Sequence, residues 1–243
     1  MVLIYTPEWK RVSNALDKCE PLGDAPHILR TDDPTAVVAL RSKYHSGILI
    51  DTDPSEILDI TKDITIEDVI GNKDNTVNFS IGNETLYNNP NNCIKLDSII
   101  TGTSKKLINS SGYMGAISGW FNTGAKLKKD NMHVDNRDSI RAVMTLRGNE
   151  STLVVANKLS NEDYKKSIPL YDEKDYLTGK YNLLNLEYLK SKYDVISPKI
   201  GQLFIMKCHI TAAKEGLQSP VHGAPNLAAS NDRLFMGMDL KLG

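Results

Sequence analysis

The chain has 243 residues, 40% of them hydrophobic and 24% charged, with a formal net charge of -1 at pH 7. That length is enough to bury a real core, and the composition excludes wholesale disorder. Near-neutrality also excludes the basic excess that marks a nucleic-acid or anionic-membrane partner.

Cys19, Cys93 and Cys208 are widely spaced and form no C-x-x-C pair, which suits free thiols in a reducing compartment. The opening MVLIYTPEWKR has too short an apolar run for a secretory leader, and no segment approaches the roughly 18 apolar residues of a membrane span. The expectation is a soluble, cytoplasmic protein of one domain over 1–243, with no membrane or nucleic-acid partner. Nothing in the chain sets its oligomeric state.

In chain order, residues 7–20 place apolar side chains at helical spacing behind a proline, which predicts a first helix. A second helix followed by a short strand is expected within ILRTDDPTAVVALRSKYHSGILIDTD. DPSEILDITKDITIEDVI suggests one or two further short helices opened by Asp, Ser or Thr caps. Residues 71–98, rich in Asn and Gly, read as loops and short strands. Residues 1–112 are thus expected to be a mainly helical N-terminal elaboration.

From about residue 113 the pattern changes to short apolar segments separated by turn residues. These are AISGWFN, AKLKKDNMHV, SIRAVMTLRG, STLVVANK, GQLFIMKC and RLFMGMDLKL. Such a train predicts a closed or sandwiched β structure. One helical insert is expected at about 182–194, in NLLNLEYLKSKYD. The fold class that follows is α+β, with a β core over 113–243. KLKKD (126–130) reads as a solvated strand edge, and Tyr113 and Trp120 as core packing near a pocket.

The chemistry concentrates in DNMHVDNRDSIRAVMTLRG. His133 and Asp135 are two residues apart on or at the end of a strand, so both side chains leave one face. An imidazole and a carboxylate so placed can share one metal ion, with a third ligand from a distant strand. His222, in SPVHGAP after the apolar strand GQLFIMKC, is the first candidate, and His209 in KCHITAAKEG the other. Two imidazoles and one carboxylate leave one face of an octahedral ion open, the pattern of non-haem Fe(II) oxygenases. Arg233 stands eleven residues after His222 and is suited to hold a carboxylate in bidentate fashion. Arg141 and Arg147 share parity with the H-x-D pair. Inside a barrel such an arginine needs a partner, either a substrate carboxylate or an internal Asp. Arg141 is therefore carried as a possible anion contact, and Asn136 and Arg137 as groups that could support the ligands. His27 and His45 read as structural or exposed.

The order H-x-D, long gap, His, then Arg resembles the Fe(II)/2-oxoglutarate-dependent dioxygenases, over roughly residues 113–243. H-V-D-x-x-x-x-x-R-x-x-x-T-x-R-G, the later V-H-x-x-P and the following R-L are similar to an uncharacterised bacterial branch of that superfamily. The resemblance implies a double-stranded β-helix, or jelly roll, with His133, Asp135 and His222 as iron ligands. Arg233 would then pair with the distal carboxylate of 2-oxoglutarate, and O2 would be the second cosubstrate. Asp135 stands where related halogenases carry Gly or Ala, which implies hydroxylation of a small or amino-acid-like molecule. The Arg-x-Asn-x-x-x-x-x-Arg signature of nucleic-acid demethylases is missing. Two rival expectations are a cupin-like metalloenzyme that does not use 2-oxoglutarate and a non-catalytic jelly-roll binding module.

Overall fold

The computed structural model describes residues 7–51, 53–62, 76–81, 85–87, 117–122, 131–148, 152–168, 184–223 and 234–240. The N-terminal part opens with helix α1 (Pro7–Leu16), then strands β1 (Glu20–Leu22) and β2 (Ala25–Thr31). A 3-10 helix (Pro34–Arg41) leads into β3 (Gly47–Ile50), and α2 (Pro54–Thr61) follows. Asp-Pro opens both of the latter helices. The aspartates accept from the backbone N–H of Thr35 and Ser55, satisfying first-turn donors where the proline offers none. Strands β4 (Thr76–Ile81) and β5 (Thr85–Tyr87) complete this part.

Helices stand at 7–16, 34–41 and 54–61 as expected, and residues 63–70, where a further one was expected, lie outside the described residues; the described part of 1–112 is mixed rather than mainly helical. Five short strands stand beside the helices, and each joins the main sheet. β3 is the short strand expected after the second helix, whereas β2 was not foreseen; sheet and helices cover both strands on their two faces. Ile28, Leu29, Ile48, Leu49 and Ile50 are all buried, so they read as apolar runs without alternation.

The remaining strands are β6 (Ile117–Asn122), β7 (Asn131–Met132), β8 (Ile140–Arg147), β9 (Leu153–Val155), β10 (Leu184–Asn185), β11 (Val195–Ile196), β12 (Leu203–Lys207), β13 (His222–Gly223) and β14 (Leu234–Leu240). Helices α3 (Asn161–Ser167), α4 (Leu186–Lys192) and α5 (His209–Lys214) lie between them. Apart from β10, these strands pair in nested order. β6 pairs with β14, β7 meets β13 through a bridge at His133 and His222, β8 pairs with β12, and β9 with β11. First with last, second with seventh, third with sixth and fourth with fifth is the pairing of a jelly roll. All of these pairs are antiparallel.

The main sheet runs β1-β2-β3-β12-β8-β14-β6-β4-β5, and the smaller one holds β11-β9-β13. Side-chain alternation splits β8, β12 and β14 between two cores. Ile140, Ala142, Met144, Leu146, Leu203, Ile205, Met236 and Met238 pack outward against Val12, Ala15 and the 3-10 helix. Val143, Phe204 and Met206 face inward onto Val154 of the smaller sheet. A third cluster, including Met132, Val134, Tyr164 and Leu189, seals the outside of the smaller sheet under α3 and α4. Among the described residues, no helix is long and apolar enough to cross a membrane.

His27, in β2, is largely buried. That burial, followed by the charges of Lys158 and His45, pushes its pKa down from 6.5 to about 4. The folded chain thus keeps this imidazole neutral where the unfolded chain protonates it. Stability contributed by neutral His27 is complete above about pH 6.5 and is lost as pH falls toward 4. After a discount for partial exposure, the loss is about 1–2 kcal/mol. Thermal melts between pH 7 and 4 should show this slope, and His27→Gln should flatten it; an equal slope in the variant would remove His27 as its source.

Candidate metal centre

The two histidines converge because their backbones are directly opposed. His133 N–H donates to His222 O and His222 N–H to His133 O, both at 2.8 Å. Opposed residues of an antiparallel pair leave the sheet on one side, and the two rings stand 4.8 Å apart between centroids. Met132 and Val134, on either side of His133, point into the opposite core. Asp135 lies just past the strand end, where the chain crosses from the smaller sheet to the larger. Its carbonyl accepts from Arg137 N–H at 3.0 Å and from His209 N–H at 2.7 Å, which ties the turn to the start of α5.

The side-chain donors of His133, Asp135 and His222 all lie within 4.8 Å of one another. His222 Nε2 is 3.1 Å from Asp135 Oδ2, whereas His133 Nε2 is 4.0 Å from Oδ1. A first-row metal with ligands at about 2.1 Å and right angles between them sets neighbouring donors about 3 Å apart. The His222–Asp135 edge fits that face, and the His133 side is wider. His222 Nδ1 is 3.3 Å from Pro220 O. Donation there leaves the Nε2 lone pair pointing at Asp135. Oδ2 of Asp135 is buried and has no hydrogen-bond partner among the described residues. With Nε2 unprotonated, two lone pairs face each other out of water, an unfavourable arrangement that a cation between them relieves, whether a proton on the imidazole or a metal ion. The residues present therefore fit a divalent metal.

The other oxygen of Asp135 is taken. Arg141 Nη1 donates to Oδ1 at 2.5 Å, while its Nε and Nη2 donate to Asp239 Oδ1 and Oδ2 at 2.8 and 3.0 Å. Arg137 Nη1 adds a bond to Asp239 Oδ2 at 2.9 Å. Burial raises the pKa of Asp135, but His222, Arg141 and His133 outweigh it and hold the carboxyl well below its usual range. Burial likewise works against the Arg141 charge, and the Asp135 and Asp239 carboxylates more than restore it.

Arg141, expected as an anion contact for a cosubstrate, is thus turned to internal carboxylates, the other partner its inward position allowed. Arg147 donates to the Thr61 carbonyl at 3.1 Å. His209 stands outside the cluster, with Nδ1 2.9 Å from the Tyr164 hydroxyl. That hydroxyl also accepts from Ser219 N–H at 2.9 Å, so Tyr164 braces the segment leading to His222. Gly47 permits another close approach: a Cβ there would lie 3.1 Å from Pro220 Cγ and 3.3 Å from Phe204 Cζ. Arg233, Tyr113, Cys93 and KLKKD lie outside the described residues. Asp239 was missed from sequence, although it is the one acidic residue in the apolar strand LFMGMDL.

No family model and no curated protein matches the sequence. Among solved structures, the chain is similar to a Pseudomonas putida prolyl-4-hydroxylase, at 13% identity over 87% of this chain and 100% of that one, with a TM-score of 0.45. It is also similar to a rice dioxygenase for auxin oxidation, at 10% identity over 86% and 78% of the two chains and a TM-score of 0.39. A third similar structure is dioxygenase for auxin oxidation 1 from Arabidopsis thaliana as a 2-oxoglutarate complex. There the identity is 8% over 86% of this chain and 87% of that one, with a TM-score of 0.40.

Proposed function

We propose that this chain is a non-haem Fe(II)/2-oxoglutarate-dependent oxygenase that hydroxylates a small or amino-acid-like molecule. The observation that carries the reading is the buried Oδ2 of Asp135, without a hydrogen-bond partner among the described residues and facing His222 Nε2 with His133 beside it. His133, Asp135 and His222 would hold the iron and leave one face of it open. With Fe(II), 2-oxoglutarate and O2 bound, such a centre supplies oxidative decarboxylation of the cosubstrate coupled to insertion of oxygen into a C–H bond. The protein's own part is to hold the three ligands, keep Asp135 ionised through Arg141 and shield the site from water. We assign the distal carboxylate of 2-oxoglutarate to Arg233, which immediately precedes β14 in sequence.

Anaerobic addition of Fe(II) and then 2-oxoglutarate should produce a metal-to-ligand charge-transfer band in the wild type and none in His133→Ala. Arg233→Ala should keep metal binding and lose the thermal stabilisation given by 2-oxoglutarate. Identical spectra for wild type and His133→Ala would refute the reading. Stabilisation retained in Arg233→Ala would reassign the carboxylate.

A further inference from the structure

Asp239, in β14, is joined to the metal centre through Arg141, and its role rests on the metal-centre reading above. β14 and β8 pair with Asp239 directly opposite Arg141, so both side chains leave the same face of the main sheet. There the carboxylate receives Arg141 Nε and Nη2 on its two oxygens, a fork-to-fork contact. Two parallel bonds fix the guanidinium plane as well as its position. With that plane fixed, Nη1 lands on Asp135 Oδ1 at 2.5 Å, and only Oδ2 remains toward His222. Both carboxylates and the guanidinium are buried, with side-chain exposures of 9% for Arg141, 11% for Asp135 and 10% for Asp239.

We propose that Asp239 is a positioning residue for the metal: by locking Arg141 in one plane, it decides which oxygen of Asp135 the metal receives. Arg137, half-exposed, also bonds Asp239 Oδ2, but the fork between Asp239 and Arg141 does not depend on it. Without the lock, the guanidinium turns on its stem and Asp135 is free to rotate. Two carboxylate orientations then share the site, and one of them points its hydrogen-bonded oxygen at the ion. Supports of this kind are worth about 10–100-fold in metal affinity.

The test uses Co(II) as a spectroscopic probe on the full chain, without 2-oxoglutarate. Asp239→Asn, which keeps shape and removes the second charged acceptor, should bind Co(II) about 10–100-fold more weakly. Its visible Co(II) absorption should also shift, a change that a role confined to strand packing does not produce. Arg137→Gln, which leaves the Arg141 fork intact, should bind within about threefold of wild type. A folded Asp239→Asn with wild-type affinity and absorption overturns the inference. If Asp239→Asn does not fold, Arg141→Lys decides by the same two readings, since an ammonium carries the charge but cannot fork. Failure of the wild type itself to bind Co(II) overturns the metal centre as well. Wild-type binding with an unaffected Asp239→Asn overturns the positioning role alone.

Discussion

Asp135→Asn is expected to weaken metal binding by at least about 100-fold, beyond the range for supporting residues, while leaving the fold intact. Arg141 has only donors to offer, and its Nη1 bond at 2.5 Å requires an oxygen at the Oδ1 position. The amide nitrogen must then take the place of Oδ2, 3.1 Å from His222 Nε2. There its N–H points at the imidazole lone pair, and a hydrogen bond fills the space of the ion. The variant also loses the negative charge that attracts the metal. Its metal-free form should therefore melt close to, or above, the metal-free wild type, with no rise in melting temperature on adding Co(II) or Fe(II). Metal titration and melts with and without chelator check both halves; a wild-type metal affinity would remove Asp135 from the ligand set.

The parts of this site legible in the sequence were those set by local geometry. His133 and Asp135 could be joined because strand periodicity fixes side-chain direction over two residues. The β8, β12 and β14 segments were visible as short apolar runs bounded by turn residues, and their two faces supply one outward and one inward core. His222 was harder. Its place beside His133 depends on a single bridge between two-residue strands, too short for any pattern. α3 and α5 were missed for related reasons. NEDYKKS and HITAAK are one-to-two-turn helices held by packing and by contacts such as His209 N–H to Asp135 O. The Arg141 partner lay at the other end of the core. Parity gave its inward direction, but choosing an internal carboxylate over a ligand needed the β8–β14 register.

Arg141→Met carries the largest expected stability change, about 3–5 kcal/mol of destabilisation in the metal-free protein, the range for breaking a buried ion pair from one side. The guanidinium supplies three hydrogen bonds to two carboxylates that water scarcely reaches. Methionine fills much of its volume but none of its bonds, so among the described residues Asp239 keeps the Arg137 contact alone, and Asp135 Oδ1 loses the Arg141 donor. The cost lies in the carboxylates left behind rather than in any large net gain from the pair itself. Removing an abandoned carboxylate should therefore recover stability. Arg141→Met with Asp239→Leu is expected to be more stable than Arg141→Met alone, a non-additivity that two independent sites would not show. Chemical denaturation of the wild type, both single variants and the double variant, all in chelator, measures the coupling directly. Additive losses would mean that Arg141 and Asp239 act separately, and the chain of charges from β14 to the metal ligand would have no energetic basis.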